Sequence, residues 1–332
     1  MSEEAYRAVV CSELGPPDRL RLERLRRQPL AAGAVRVAIR AAGINFPDLL
    51  TIEGRYQHRP QLPFVPGVEA AGTVVETGPD VAGITVGEPV IIRLRTGGYA
   101  EEAVVAADQA VALPPAFSFA EGATFLVGHM TAYHALHTRA GVGTGQTVLV
   151  LGAAGGVGLA AVQVAKVLGA RVLAAASTAD KLGVAQGMGA DAGINYAEEP
   201  IEEAVRRLTG GNGADVVLDP VGIAQEAALR CVAHAGKLLV AGFAGGTIPA
   251  YAANRILLRG ATVMGIRAGE AGRRDSAMRR RELAALSDLA ARGALRPLVS
   301  ATFALDQFAE AMGMLASRRA VGRVALTMDG PG

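Results

Sequence analysis

The N-terminal part of the chain, residues 1–123, carries short segments in which apolar and polar residues alternate. Val35–Arg40 and Ala71–Glu76 follow this period of two, which is typical of β-strands with one buried face. Glycine and proline interrupt the pattern at Gly15–Pro17 and again at Pro114–Pro115. The pattern predicts an irregular, mostly antiparallel β region.

From residue 124 the pattern changes to continuous apolar runs that alternate with helical periodicity. Thr147–Leu151 is such a run, as expected of a parallel strand covered on both faces, and a helix is predicted over Leu159–Leu168. The same alternation predicts one more helix at Asp180–Met188. It also predicts further strands at Arg171–Ala175, Val216–Leu218, Lys237–Val240 and Thr262–Gly265. Residues 124–267 are therefore predicted to form an α/β domain with a doubly wound parallel sheet.

The last part of the chain returns to mixed short elements. Amphipathic helices are predicted over Arg273–Arg292 and Asp306–Ser317, and strands over Leu298–Phe303 and Arg323–Thr327. These elements are too few for a domain of their own. We expect residues 268–332 to complete the β region of residues 1–123, which makes that domain discontinuous.

Composition excludes several classes of protein. The 332 residues are 51% hydrophobic. The 33 basic and 31 acidic residues nearly balance at a net charge of +2, which gives no electrostatic argument for a nucleic-acid partner. Two cysteines, Cys11 and Cys231, are too few for a disulfide framework and fit a reducing compartment. The acidic start lacks the order of a signal peptide, and glycines interrupt the longest uncharged stretch, Ala140–Ala165. We expect a cytoplasmic protein that binds neither nucleic acid nor membrane.

The glycine-rich segment Gly152–Gly158 follows the predicted buried strand and opens a helix. Its glycines allow a tight turn, a close approach of a pyrophosphate to the backbone, and close packing of the helix on the strand, while the helix N-terminus supplies amide donors. The alternative is a turn that only packs the helix. Because the segment lies in a strand–helix–strand unit, we predict a dinucleotide site formed by Gly152, Ala154, Gly155, Gly156 and Val157.

The end of the second strand of this unit bears on the coenzyme. An NAD site carries an acidic residue there, whereas this strand ends in Ala176-Ser177. Ser177, Lys181 (one of three lysines in the chain) and Tyr196 would instead donate hydrogen bonds to a 2′-phosphate. The alternative is that Ser177 caps the following helix and Lys181 lies on its surface. NADPH is the predicted coenzyme.

Several longer motifs show that the chain resembles the medium-chain dehydrogenase/reductase superfamily, and within it the zinc-free quinone oxidoreductase (zeta-crystallin-like) branch. They are Ala42–Asp48, Pro63–Gly72, Gly128–Tyr133, the glycine turn followed by Ala161–Lys166, and Gly189–Asp191 leading to Tyr196. The resemblance extends over essentially the whole chain. It implies a Rossmann coenzyme domain, a discontinuous GroES-like β-rich catalytic domain, and a homodimer formed through the coenzyme domain near Thr247–Met264.

The chain departs from the zinc alcohol dehydrogenases of this superfamily at their metal ligands. Asn45 stands where those enzymes have a cysteine, and Val68 where they have a histidine. Zinc needs three protein ligands of nitrogen, sulfur or oxygen type, so we predict no metal site. His134 and His137 are three residues apart, but without a third ligand they indicate a packed or solvated helix. Without a Lewis acid, hydride transfer to a conjugated acceptor is easier than oxidation of an alcohol.

The resemblance also implies roles for individual residues. Asn45 and Thr131 would lie near the nicotinamide, and Val221 and Gly242-Phe243 would flank the nicotinamide. Asn45 is also predicted to be catalytic. Tyr56 matches a tyrosine with which related enoyl-thioester reductases orient or protonate substrate. An equally good alternative is that Tyr56 is an aromatic residue of a loop that only covers the cleft. Asp48 is expected to support a turn or a neighbouring residue rather than to act as acid or base.

Together these observations predict a zinc-independent, NADPH-dependent oxidoreductase that reduces a quinone or another conjugated carbonyl acceptor. The alternative acceptors are enones and enoyl thioesters such as enoyl-CoA. A non-catalytic role as an NADPH-binding or structural protein is the third possibility.

Overall fold

A computed structural model describes residues 5–222 and 226–328. It divides the chain into two units, the first made of residues 1–127 and 297–332 and the second of residues 128–296.

The strands in chain order are β1 (Ala5–Val10), β2 (Arg21–Arg26), β3 (Ala34–Gly43), β4 (Glu69–Thr77), β5 (Pro89–Arg93), β6 (Glu102–Ala106), β7 (Ala110–Ala112), β8 (Thr147–Leu151), β9 (Arg171–Ala176), β10 (Ala192–Asn195), β11 (Ala214–Asp219), β12 (Val232–Val240), β13 (Thr262–Gly265), β14 (Val299–Ala304) and β15 (Arg323–Thr327). The α-helices are α1 (Phe46–Ile52), α2 (Phe119–Gly122), α3 (Leu126–Tyr133), α4 (Gly156–Val167), α5 (Ala179–Gly187), α6 (Ile201–Leu208), α7 (Ala227–Arg230), α8 (Ala253–Arg259), α9 (Ala268–Arg274), α10 (Ser276–Ala291) and α11 (Phe308–Ala316). A π-helical segment, His134–Arg139, continues α3.

The first unit contains a seven-stranded sheet in the order β14-β15-β3-β4-β5-β7, with β6 paired to β3, and a two-stranded sheet of β1 and β2. All of the pairs are antiparallel except the parallel pair β14–β15. Alternating residues such as Val35 and Val37 are fully buried in its core. Strand β15 pairs with β3, with Leu326 opposite Ala42, so the C-terminal strands complete the N-terminal β region as predicted.

The second unit contains six parallel strands in the order β10-β9-β8-β11-β12-β13. Strand β8 lies inside this sheet, and its residues Val148–Leu151 are fully buried, because both faces of the sheet are covered by helices. Successive strands run outward on one side of β8 and then on the other, so the order reverses between β8 and β11. The predicted fold class, a doubly wound α/β sheet with a discontinuous β-rich domain, is confirmed.

Residues 268–296 lie in the second unit, whereas the sequence analysis assigned them to the β-rich domain. Buried polar contacts explain the difference. Glu282 of α10 accepts hydrogen bonds from Thr138 Oγ1 (2.6 Å) and pairs with Nδ1 of the buried His134 (2.8 Å). The side-chain amide of Gln163 donates to the carbonyl of Arg296 (2.9 Å) and accepts from its N–H (2.8 Å). The predicted helix Arg273–Arg292 is also divided, because Asp275 caps α10.

Within the described ranges, no helix combines the length and the hydropathy that crossing a membrane requires.

Candidate functional site

The glycine turn between β8 and α4 is built by close backbone contacts. Gly152 has a φ of +58°, and a Cβ at this position would lie 2.5 Å from Cγ2 of Val221. A Cβ on Gly158 would overlap the Gly152 carbonyl oxygen and lie 2.8 Å from Cα of Ala153. Both positions therefore require glycine, one because of its conformation and neighbour and the other because the helix packs directly on the turn.

The first amides of α4 are available to a ligand. Gly155 is the N-cap residue, and its carbonyl accepts from the N–H of Leu159 (2.8 Å). The N–H groups of the first three helical residues, Gly156–Gly158, donate to no acceptor among the described residues. Ala154 is buried in the turn before them. Unpaired amides at a helix N-terminus bind anions, so the turn fits a pyrophosphate.

Ser177 and Tyr196 follow the ends of two neighbouring strands, and Lys181 follows Ser177 in the chain. Asn195 is paired with Ala176 at the ends of the parallel strands β10 and β9, and the N–H of Tyr196 donates to the Ala176 carbonyl (3.2 Å). Ser177 therefore stands beside Tyr196, and Lys181 lies in the first turn of α5 directly after it.

The capping of α5 bears on the alternative role of Ser177. Thr178, not Ser177, is the N-cap residue, because its hydroxyl accepts the N–H of Lys181 (3.3 Å). The Ser177 hydroxyl makes no hydrogen bond to any residue that the structure describes. It is therefore free to donate to a ligand, and no acidic side chain occupies the end of β9.

The loops after β11 and β12 contact each other at the carboxyl ends of these neighbouring strands. The N–H of Gly245 donates to the Val221 carbonyl (2.7 Å), and a Cβ on Gly242 would lie 3.0 Å from the Pro220 carbonyl oxygen. Phe243 follows with 36% of its surface exposed. Since Val221 also contacts Gly152, the structure brings the predicted residues Val221, Gly242 and Phe243 next to the glycine turn.

Thr131 lies on α3, which approaches the N-terminus of α4. A Cβ on Gly128, three residues earlier on the same helix face, would lie 3.2 Å from the carbonyl oxygen of Gly156. Thr131 is half-buried on this face. Its predicted role near the coenzyme agrees with this placement and stays a prediction.

In the first unit, Asn45 belongs to a buried charged cluster that the sequence did not reveal. Its side-chain N–H groups donate to Oε1 of Glu69 (3.0 Å) and to the Gly43 carbonyl (3.2 Å), and its Oδ1 accepts from Nη2 of Arg323 (2.9 Å). Arg323 also pairs with Glu69, and the second oxygen of Glu69 accepts the N–H of Val127 (2.9 Å). Both N–H groups of the Asn45 amide are thus used, and only a lone pair on Oδ1 remains for a ligand.

A second buried carboxylate lies on the other side of Asn45. Oδ2 of Asp48 accepts the backbone N–H of Asn45 (2.9 Å) and the hydroxyl of Tyr99 (2.8 Å). Burial is the main cause that raises the pKa of Asp48 to about 7, and the charge of Glu69 adds to it, while the bonds from Tyr99 and Asn45 act in the opposite direction. Burial, followed by the charge of Asp48, also raises the pKa of Tyr99 well above its ordinary value. Asp48 supports Asn45 and the start of α1, as expected.

The donor set at Asn45 and Val68 does not fit zinc. An amide whose N–H groups are already hydrogen-bonded and an aliphatic side chain offer none of the thiolate or imidazole ligands that zinc takes. Within residues 5–222 and 226–328, no group of three or more histidine, cysteine or acidic side chains is arranged to hold a metal ion.

Tyr56 lies in the loop after α1. Its backbone N–H donates to the Leu50 carbonyl (3.0 Å), its ring is half-buried, and its hydroxyl has no hydrogen-bond partner in the described parts of the chain. The structure shows no contact between Tyr56 and Asn45, the other residue predicted to be catalytic. A phenol hydroxyl that no protein group engages can donate a proton or a hydrogen bond to a ligand.

Comparisons with known proteins agree with both units. Residues 31–115 match the family described as alcohol dehydrogenase GroES-like domain, and residues 156–288 match the family described as zinc-binding dehydrogenase. Over 327 residues the chain is 38% identical to the quinone oxidoreductase-like protein 2 homolog of Nematostella vectensis, covering 97% of this chain and 89% of that protein.

Two solved structures with coenzyme are similar to the whole chain. The Escherichia coli quinone oxidoreductase complexed with NADPH is 29% identical, with a TM-score of 0.89 over 97% of this chain and 99% of that one. A mycobacterial protein complexed with NADPH is 32% identical, with a TM-score of 0.89 over the same shares of the two chains.

Proposed function

This chain belongs to the quinone oxidoreductase (zeta-crystallin-like) branch of the medium-chain dehydrogenase/reductase superfamily, and from this premise we propose that it is a zinc-independent, NADPH-dependent reductase of quinones or other conjugated carbonyl compounds. That it is an oxidoreductase follows from its relatives. The observation that carries the proposal is the set of backbone N–H groups at Gly156–Gly158 that have no acceptor among the described residues. The Ser177 hydroxyl, also without a partner among those residues, supports it.

Residues of the second unit would bind the pyrophosphate, the 2′-phosphate and the nicotinamide of NADPH. The amides of Gly156 and Val157 would bind the pyrophosphate, with Gly152, Ala154 and Gly155 shaping the turn. Ser177, Lys181 and Tyr196 would bind the 2′-phosphate through a hydroxyl, an ammonium and a phenol. Val221, Gly242, Phe243 and Thr131 would line the nicotinamide end. The bound coenzyme supplies the hydride.

The chemistry of the first unit supports a conjugated acceptor. Because Asn45 and Val68 would not hold zinc, no zinc ion would polarise an alcohol there, whereas a quinone or enone already has an electrophilic carbon. Asn45 would contribute one acceptor lone pair, which suits a hydroxyl of the coenzyme rather than a developing oxyanion. Tyr56 would donate to the acceptor oxygen as negative charge develops there.

The free hydroxyl of Tyr56 also supports an enone or enoyl thioester as acceptor. These substrates need a proton at carbon or oxygen in addition to the hydride, and a positioned phenol would favour them. Quinones need less assistance because hydride addition gives an aromatic hydroquinone anion, which can take its proton from water. A role that ends at NADPH binding is the remaining possibility, and it predicts coenzyme binding without turnover.

We also propose a homodimer through the second unit. Ile248, Leu257 and Leu258 are 74–79% exposed, and they precede β13, the edge strand of the parallel sheet, in the chain. Exposed leucines next to an unpaired strand edge are typical of an interface. A second copy of this chain would cover both.

The experiment is a steady-state assay of NADPH oxidation with panels of quinones, enones and enoyl-CoA thioesters. We expect turnover with at least one conjugated acceptor and no metal requirement. The variant Tyr56→Phe should lower kcat with the NADPH affinity unchanged, while its matched control Tyr196→Phe should raise the KM for NADPH with little change in kcat. NADPH binding without turnover of any acceptor would contradict the enzyme, and stoichiometric zinc in the purified protein would contradict its zinc independence.

A further inference from the structure

Asp219 is a buried carboxylate at the carboxyl end of strand β11. It is fully buried, and its Oδ1 accepts the backbone N–H groups of Val221 and Gly222, both at 2.8 Å. These two bonds fold the chain back over the end of the strand. The Asp219 carboxylate therefore fixes the turn that carries Val221.

This turn lies where the order of the parallel strands reverses, between β8 and β11. Val221 contacts the glycine turn after β8, and the N–H of Ala241 donates to the Asp219 carbonyl (2.8 Å), which ties in the loop after β12. In doubly wound sheets a dinucleotide lies across this crevice, with one mononucleotide half on each side. Because Ser177 and Tyr196 are on the β9–β10 side, Asp219 is on the side of the nicotinamide half.

Burial opposes the charged form of a carboxylate, and hydrogen bonds to the charged form oppose that effect of burial at Asp219. Two backbone N–H donors to one oxygen stabilise a carboxylate. The nearby Tyr251 is affected by this charge: burial first, and then the charge of Asp219, raises the pKa of Tyr251 to about 12. In its carboxylate form, Asp219 places a negative charge under the loops that are predicted to flank the nicotinamide.

We propose that Asp219 is a positioning residue that holds the Val221 turn against the glycine turn and, through its charge, strengthens the binding of oxidised coenzyme relative to reduced coenzyme. The inference rests on the proposed function, since it assumes that NADPH binds here. The oxidised nicotinamide ring carries a positive charge and the reduced ring is neutral, so a buried anion nearby favours the oxidised form. Favouring that form makes the bound NADPH a stronger hydride donor.

The test compares the dissociation constants of NADPH and NADP⁺, measured by coenzyme fluorescence and by competition. Asp219→Asn keeps an oxygen that can accept both N–H groups and removes the charge. We expect it to weaken NADP⁺ relative to NADPH by roughly three- to tenfold, the size of a charge–charge interaction over ~10 Å in a protein. Asp219→Ala removes the acceptor as well and should weaken both coenzymes in parallel, in addition to the change in ratio.

The matched control is Asp215→Asn on the same strand. Asp215 lies toward the opposite end of β11, where its Oδ2 accepts the N–H of Thr147 (2.7 Å), so the ratio of the two affinities should not change. If Asp219→Asn does not fold, Tyr251→Lys places an ammonium beside the intact Asp219 and should shift the ratio in the same direction. An unchanged ratio in a folded Asp219→Asn variant would overturn the inference and leave the proposed function standing. Wild-type protein that binds neither coenzyme would instead refute the proposed function.

Discussion

Replacement of Ser177 by alanine tests the assignment of the coenzyme. Ser177 follows the last residue of β9, stands beside Tyr196, and has a hydroxyl that is not engaged by the described residues. A hydrogen bond to a charged group contributes ~1.5–3 kcal/mol. Ser177 is partly exposed, so the lower end of this range applies, and Ser177→Ala should weaken NADPH about tenfold. The affinity for NADH should change little, because NADH lacks the 2′-phosphate.

Thr178→Ala is the control from the neighbouring position. Thr178 caps α5 by accepting the N–H of Lys181, and loss of such a cap costs about 0.5–2 kcal/mol of stability. This variant should therefore unfold at lower denaturant concentration while its preference for NADPH over NADH is kept. Fluorescence titration with each coenzyme and equilibrium unfolding measure the two effects separately.

The reasoning would be refuted by either of two results. One is a Ser177→Ala variant that loses NADPH and NADH affinity equally, since Ser177 would then act on a part that both coenzymes share. The other is a Thr178→Ala variant with a changed preference, because the cap and not the Ser177 hydroxyl would then determine the coenzyme.

Three further predictions follow from the geometry. Gly158→Ala should lower the free energy of unfolding by about 1–3 kcal/mol and weaken NADPH binding, whereas Gly143→Ala, with no atom within 4 Å of the added Cβ, should do neither in the same assays. The pKa of Asp48 is raised from 3.8 to about 7, so its contribution to stability is present below pH 4 and is lost as pH rises toward 7. Between pH 5 and pH 8, Asp48→Asn should therefore gain about 2–3 kcal/mol of stability relative to wild type in denaturant titrations. An equal difference at both pH values would contradict this. Leu257→Asp together with Leu258→Asp should convert the proposed dimer to monomers in sedimentation, with folding unchanged.

Local patterns were sufficient for the parallel sheet and its coenzyme turn. The continuous apolar run at Thr147–Leu151 identifies an internal strand because a strand covered on both faces has no polar side. The proximity of Ser177 and Tyr196 also follows from sequence, because parallel strands place their carboxyl ends at one edge. These inferences use only neighbouring residues and one topological rule.

The charged cluster around Asn45 could not be derived in that way. Arg323 lies 278 residues from Asn45 and 254 from Glu69, and no local period relates such positions. The one available signal was a charged residue at the start of each of two strands, directly before a short run without polar side chains: Glu69 in β4 and Arg323 in β15. The placement of α10 in the second unit could not be predicted either, because it depends on the contact of Glu282 with His134, which are also far apart in the chain.

The cluster narrows the chemistry that the first unit can perform. Asn45 and Tyr56 were both predicted to be catalytic, but the two N–H groups of Asn45 are held by Glu69 and Gly43, so Asn45 has no donor left for a developing oxyanion. Reorienting the amide would leave Glu69 and Arg323 with unsatisfied buried bonds, which is costly. Of the two residues, Tyr56 alone keeps an unengaged donor among the described residues. Of these two predicted residues, only Tyr56 could then supply a proton during reduction. We therefore predict that loss of its hydroxyl slows enone reduction, which needs that proton, more than quinone reduction.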